Sequence, residues 1–282
     1  LIQEGSLFTN HAFVDFLNIL IHRGCEYFYS GSGLDLIFNY LNNQSNLTKN
    51  DFQNYTVYKR KPISLKFNNH TIYSNPAPSY GGTLIIFLLK LIQNLNSSNY
   101  NLYDIIKGMN LSSLVRNEVC VNPDNENEIS NALNKDIFTK YQKIFDNQNH
   151  INFSNPLSGF GSTTHISILD FDGNAVSMTT TNGEGCGSII PEYGIMMNNM
   201  LGEDDLNPFG FHKWNKKRRL PTMMSPTIIT KDLKPKYILG SGGSNRIRSA
   251  TVQVILNLLV KNMSVSDAIN SPRIHLEGNT LF

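Results

Sequence analysis

The chain has 282 residues, with Lys+Arg 24 against Asp+Glu 22 and a formal net charge of +2. So small a net charge provides no strong overall field favouring nucleic acid or acidic membranes. An apolar content of 40% and a charged content of 16% suit a globular chain able to bury a sizeable core, as one large domain or two small ones.

In chain order, Phe13, Phe16, Leu17, Ile19 and Leu20 recur at helical spacing over 9–22, and the pattern stops at Gly24. Leu34, Ile37, Phe38 and Leu41 mark a second amphipathic helix, and Thr48-Lys49-Asn50-Asp51 has the form of a capping box. Residues 57–74 read as strands, with Ile63, Leu65 and Phe67 alternating before a turn at Asn68-Asn69-His70. Pro76, Pro78 and Gly81-Gly82 make a rigid loop leading into a helix over 83–95. Residues 96–163 carry little pattern beyond short helical patches near 128–145. They are expected to be an exposed, partly mobile segment or an ordinary surface loop.

After this stretch comes Gly161-Ser162-Thr163-Thr164-His165, then two alternating runs around Asp172-Gly173, which read as a β-hairpin with a tight turn. A further strand is expected over Tyr193–Asn198, and a loop over 202–225. Strands at 226–230 and 236–240 flank a Lys-Asp-Leu-Lys-Pro turn. A helix over 245–261 follows, and Ser264 with Asp267 caps a last one. Two strand clusters with helices on both sides fit two sheets between helix layers, although pattern alone does not choose this over other α+β folds.

Thr163 stands where a strand begins. A threonine whose own α-amine serves as base is an established nucleophile. Thr is also simply common in strands. The surrounding motifs decide between these readings. Residues 161–204 hold a TTHxS opening, a DxDGNAVS turn, a Gly-rich stretch and a GI-x-x-NN-M segment. Arg219-Leu220-Pro221-Thr222-Met223-Met224-Ser225-Pro226-Thr227 and Gly240-Ser241-Gly242-Gly243-Ser244-Asn245-Arg246-Ile247 follow in order. Upstream stand Phe28-Tyr29-Ser30-Gly31, Asn50–Tyr55 and Asn75–Gly82. Together, over nearly the whole chain, these resemble the gamma-glutamyltransferase (glutathione hydrolase) family of N-terminal-nucleophile hydrolases.

The resemblance implies a four-layer αββα sandwich. It also implies a precursor cut at Ser162–Thr163, with 1–162 the C-terminal part of a large subunit and 163–282 a small subunit in one intertwined fold. Thr163 would be the nucleophile, Thr181 its hydroxyl partner, and the amides of Gly243 and Ser244 the oxyanion site. The family's α-amino contacts fall on Gly183, Met200 and Glu203 without gaps, with Asn182 or Glu184 in place of Gly183 if the loop shifts by a residue. The family's Ser-Ser pair for the α-carboxylate reads Thr222-Met223, and its carboxylate-binding arginine falls before Leu1. These departures bear on glutamyl specificity more than on the nucleophile. The implied substrates are a glutathione-like γ-glutamyl amide and an amine or water as acceptor, with no cofactor. Glu203-Asp204-Asp205 has no histidine at ligand spacing, so no metal is expected. Family members are often periplasmic or secreted.

His165 is expected to be structural, with its side chain alternating away from Thr163 or Thr164. Cys25, Cys120 and Cys186 show neither metal nor disulfide spacing, and Cys186 is expected to be a small buried thiol. No apolar run reaches the roughly 20 residues of a membrane span. A start at Leu1 is expected of a fragment or processed piece. The alternatives are a related acylase with another amide substrate, a non-catalytic scaffold, and nucleic-acid binding through 213–219, where Lys216-Lys217-Arg218-Arg219 otherwise reads as a solvated face.

Overall fold

Apolar residues fill every position but Lys90 between Leu84 and Ile92, and in the computed structural model they form a helix buried on all sides. The structure describes residues 3–42, 45–95, 100–119, 126–147, 163–207, 210–215, 218–278 and 280–282. In chain order its elements are α1 (His11–Arg23), α2 (Glu26–Tyr29), α3 (Ser32–Leu41), α4 (Lys49–Gln53), β1 (Ile63–Phe67), β2 (His70–Ser74), α5 (Tyr80–Gln93), α6 (Leu102–Val119), α7 (Glu126–Asn131), α8 (Lys135–Asn147), β3 (Thr163–Leu169), β4 (Ala175–Thr181), β5 (Ile189–Ile190), β6 (Ile195–Met196), β7 (Thr227–Lys231), β8 (Lys234–Leu239), α9 (Arg246–Leu259), α10 (Val265–Asn270), β9 (Leu276–Glu277) and β10 (Thr280–Leu281). They pack as two units: Leu1–Lys59 with Gly185–Asn199, and Arg60–Glu184 with Met200–Phe282. No helix among the described residues is long and apolar enough to cross a membrane.

In the smaller unit Asn10 caps α1, accepting the Phe13 amide at 3.1 Å, and Thr48 and Asp51 form the capping box of α4. Phe16, Leu34, Ile37, Ile190 and Tyr193 make its core, and the Tyr193 hydroxyl donates to the Gly33 carbonyl at 2.7 Å. The strand expected over Tyr193–Asn198 shrinks to β6, because Tyr193 and Gly194 form the turn that pairs β6 with β5. Cys186 is exposed, contrary to expectation, since the loop turns its thiol toward its own neighbour Ser188. Cys25 is exposed as well, and Cys120 lies outside the described residues.

The larger unit is built on an antiparallel sheet of order β1-β2-β7-β8. β2 pairs with β7, so the sheet joins strands from both sides of the Ser162–Thr163 step. The β7–β8 turn places Asp232 and Leu233 both at positive φ, the geometry that keeps a two-residue turn in step with the strand twist. Phe67, Ile72 and Ile229 of the sheet meet Ile85 and Leu89 of α5 and Val252, Ile255 and Leu256 of α9. Leu84, Phe87 and Leu91 on the other side of α5 meet Leu111 and Val115 of α6 and Phe138, Tyr141 and Phe145 of α8.

Residues 102–119 are therefore a packed helix rather than the exposed segment expected there, while the helical patches expected near 128–145 are α7 and α8. Helix α6 escapes a periodicity search because its buried face includes Asp104, Lys107, Gly108 and Ser112. Lys107 lies 3.2 Å from Asp104 and donates to the Phe145 carbonyl at 3.1 Å, which makes its burial tolerable. Residues 148–162, including Gly161 and Ser162, lie outside the described residues.

Strands β3 and β4 form the expected hairpin, closed by Asp170, which accepts the Asn174 amide at 2.7 Å, and by Gly173 at φ +84°. Its amphipathicity is inverted. The face carrying Thr163, His165 and Ser167 with Ser177, Thr179 and Thr181 is the more buried one. Ser167 donates to the Ile238 carbonyl at 3.1 Å, and Ser177 to that of Leu239 at 3.0 Å. The cross-strand pairs Ile166–Met178 and Ile168–Val176 lie on the exposed face.

Candidate active site

Thr163 opens β3 directly opposite Thr181, which closes β4. This pairing puts two β-branched hydroxyls on one face. The Thr163 hydroxyl donates to Thr181 Oγ1 at 3.1 Å. Thr181 Oγ1 also accepts the Gly183 amide at 3.0 Å, which the chain achieves by turning at Gly183 with φ +63°. Accepting from both sides, Thr181 Oγ1 holds Thr163 Oγ1 in one direction.

The chain after β8 runs flush against β3 because it lacks side chains. A Cβ at Gly240 would stand 2.2 Å from His165 Nδ1, and one at Gly242 would stand 2.5 Å from the Thr163 carbonyl oxygen. Gly243 and Ser244 follow at φ +111° and +50°, and α9 starts two residues on. Among the described residues neither amide donates a hydrogen bond. Unpaired amides leading into a helix N-terminus favour negative charge.

His165 shares a face with Thr163 and alternates away from Thr164. Its ring nitrogens are engaged by Thr179 Oγ1 at 2.8 Å and Ser167 Oγ at 3.0 Å, and burial holds its pKa below the ordinary value. It braces the hairpin against Gly240 as a neutral ring.

Three carboxylates gather at a second corner. Glu203 is buried, and its pKa is pushed up to about 7, first by burial and then by the charges of Asp205 and Glu184. Among the described residues no donor reaches its carboxylate. Asp205 is also buried, but Arg116 pairs with both its carboxylate and its carbonyl. The Arg116 guanidinium in turn lies over the Tyr80 ring, 5.0 Å from its centroid. Glu184 and Asn182 are exposed in the loop after β4, and Met200 opens a short 3₁₀ turn ahead of Glu203.

The Thr222-Met223 pair sits against the start of α5. The Thr222 carbonyl accepts the Ser79 hydroxyl at 3.1 Å and the Tyr80 amide at 2.9 Å. Thr222 is half-buried, but Met223 is only 4% exposed, inside the apolar cluster of Tyr80 and Leu84. Its side chain packs in that core, whereas the resemblance expects it among the substrate contacts. No hydrogen bond joins either residue to Thr163 among the described residues.

Sequence reasoning missed Arg116, Asp205, Asn245 and Arg248. The signal present was the acidic run at Glu203-Asp204-Asp205, but nothing local pairs position 205 with position 116. In the basic run, Lys216 and Lys217 lie outside the described residues.

The Gamma-glutamyltranspeptidase family model matches residues 1–280. Among curated relatives, the glutathione hydrolase proenzyme of Bacillus subtilis (strain 168) is 27% identical over 304 residues, covering 97% of this chain and 52% of that protein. The proenzyme of the same name from Escherichia coli (strain K12) is 27% identical over 303 residues, again covering 97% and 52%. The chain thus spans about half the length of the curated relatives it matches. The cephalosporin acylase from Bacillus halodurans superposes with a TM-score of 0.76 at 20% identity, over 98% of this chain and 52% of that one, so the two share this part of a mixed helix-and-sheet fold. A family match that takes in both the threonine hairpin and the glycine loop leaves one conclusion: the chain belongs to the gamma-glutamyltranspeptidase family.

Proposed function

We propose that the chain carries the catalytic half of an N-terminal-threonine γ-glutamyl amidase, within a complete four-layer αββα sandwich. The 3.1 Å contact between the Thr163 and Thr181 hydroxyls is the observation that carries this reading. Thr163 Oγ1 first attacks the Ser162 carbonyl carbon. The Ser162–Thr163 amide bond breaks, an ester forms, and the Thr163 amine is released. Water hydrolyses the ester, leaving a Ser162 carboxylate on the large subunit and a free hydroxyl and amine on the small one.

The freed amine has a reference pKa of about 7.7–8.0, so it is partly neutral near pH 7 and can take the hydroxyl proton. Thr163 Oγ1 then attacks the γ-carbonyl of the substrate. The oxyanion is held by the amides of Gly243 and Ser244, and Thr181 steadies the nucleophile. The proton passes to the leaving amine, and the glutamyl ester is opened by water or by another amine. Glu203 pairs the substrate's α-ammonium, with Glu184 and Asn182 at the rim and Thr222 as the remaining hydroxyl for the α-carboxylate. No cofactor enters any step.

A specific observation favours a second reading, an acylase for another side-chain amide. Met200 stands where the family has an amide, and Met223 is held in the core, so the α-amino and α-carboxylate contacts are thinner than the family pattern.

One experiment tests both. The protein is incubated with γ-glutamyl and non-glutamyl anilides beside a Thr163→Ala control, and each sample is weighed by intact-mass spectrometry. We expect two pieces meeting at Ser162/Thr163 and a rate preference for the γ-glutamyl anilide, both lost in the control. Equal rates on both anilides would move the assignment to the acylase. An uncut, inactive wild-type protein would remove the enzymatic reading.

A further inference from the structure

Asn245 occupies the N-cap position of α9, and asparagine is among the best residues there, with a side-chain cap contributing about 1 kcal/mol. Its side chain caps nothing. Instead Oδ1 accepts from Arg248 Nη2 at 3.1 Å, and Nδ2 donates toward Glu277 Oε1 at 3.4 Å. The cap is given up for a clamp that ties the loop to β9, far away in sequence.

The clamp is rigid at both ends. Arg248 sits in the first turn of α9, with its Nε shielded from solvent. Glu277 belongs to the β9–β10 hairpin, and its other carboxylate oxygen lies 3.7 Å from His275 Nε2. His275 Nδ1 meets the Ser249 hydroxyl at 2.7 Å, back on α9. Helix, hairpin and loop therefore close a ring around Asn245.

The loop itself has little else. Gly243 and Ser244 are both at positive φ, and Ser244 is not a glycine. Among the described residues, the carbonyls of Gly243 and Ser244 accept only the first amides of α9, and Ser241 reaches only the adjacent Gly242 carbonyl. Among the described residues, Asn245 makes the only side-chain hydrogen bonds linking residues 242–245 to a neighbouring element.

We propose that Asn245, clamped between Arg248 and Glu277, is the positioning residue that aims the Gly243 and Ser244 amides at the reacting carbonyl. The proposal rests on reading these amides as the oxyanion site. Donor placement must hold within about 0.5 Å, and outright loss of one such donor costs about 10²–10³ in rate. A loosened loop costs part of that, and mostly in kcat, because the oxyanion exists only in the transition state.

The test compares wild type, Asn245→Ala, Asn245→Asp and the double variant Asn245→Asp/Glu277→Gln. Hydrogen exchange of the 240–247 backbone reads the clamp, and γ-glutamyl anilide hydrolysis reads its consequence. Asn245→Ala is expected to speed exchange and lower kcat by about 10–100-fold with KM nearly unchanged, a fraction of the full donor loss. Asn245→Asp sets two carboxylates against each other and should behave likewise. The double variant reverses the polarity of the second bond, the new amide donating where the glutamate accepted, and should recover most of kcat and of the protection. A purely structural role would not give this recovery. Unchanged exchange, a kcat for Asn245→Ala within twofold of wild type, or a double variant no better than Asn245→Asp would each overturn the proposal. If Asn245→Ala loosens the loop but wild-type protein hydrolyses no γ-glutamyl anilide, the functional reading fails and takes the catalytic role of the clamp with it. The exchange data identify that case.

Discussion

Thr163 and Thr181 meet hydroxyl to hydroxyl at 3.1 Å across the first pair of the β3–β4 hairpin, with the Gly183 amide fixing the second hydroxyl from behind. A hydrogen bond to a charged group contributes about 1.5–3 kcal/mol, or roughly 10–100-fold in rate. Thr181→Ala is expected to slow both self-cleavage and anilide hydrolysis by that factor, with the melting temperature little changed. Thr181→Ser keeps the hydroxyl and should stay within a few-fold of wild type. Equal losses in the two variants would show that the methyl group, not the hydroxyl, matters.

Two neighbouring positions should respond in opposite ways. Ser244 holds φ +50°, a conformation that costs an L-residue about 1–2 kcal/mol, whereas glycine adopts it freely at some entropic cost. Ser244→Gly is expected to stabilise the protein by about 0.5–1 kcal/mol in urea unfolding, from the difference of those terms. Gly242→Ala forces a methyl group to within 2.5 Å of the Thr163 carbonyl oxygen. It should abolish hydrolysis and destabilise the fold by about 1–3 kcal/mol, the usual cost of overpacking.

Glu203 gives a pH signature with a definite sign. Its folded pKa is raised from 4.5 to about 7, chiefly by burial and then by Asp205 and Glu184. Between these values the folded state binds more protons than the unfolded one, so this residue's contribution to stability falls as pH rises from 4.5 through 7. Glu203→Gln is therefore expected to melt higher than wild type at pH 8 and to match it near pH 4. An ammonium-bearing ligand favours the ionised form, so binding should release a proton at pH 6. Calorimetry in two buffers of different ionisation heat measures that release, which Glu203→Gln should abolish.

Arg116 and Asp205 form a buried ion pair, and Asp205 Oδ2 has no hydrogen-bond partner among the described residues. Removing one member leaves an uncompensated charge, at a cost of about 3–5 kcal/mol. Arg116→Met should destabilise by about that amount in urea unfolding, and Arg116→Met combined with Asp205→Leu should recover most of it. Additive losses in the double variant would mean that the two residues do not act as a pair.

Much of this protein was legible in local pattern. The hairpin was readable from alternation around Asp172-Gly173, α10 from the Ser264–Asp267 cap, and α9 from its apolar stripe, because each depends on residues within a few positions of one another. Helix α6 was not legible, because Lys107 becomes acceptable inside only when the Phe145 carbonyl arrives from α8. Alternation in β3 and β4 announces two faces but not which one turns inward. Here the polar face does, because the Ile238 and Leu239 carbonyls need its serines.

The same division runs through the site. Sequence alone determined that Thr163 begins a strand, that Thr181 ends its partner, and that a glycine loop precedes a helix, since strand period, turn chemistry and helix start are properties of neighbours along the chain. Only the tertiary structure decided that Met223 is core, that Glu203 shares its corner with Asp205 and Glu184, and that Asn245 gives up its helix cap to join Arg248 and Glu277. Burial, charge proximity and hydrogen bonding between residues far apart in sequence arise when the chain closes on itself, and no short window of residues contains them.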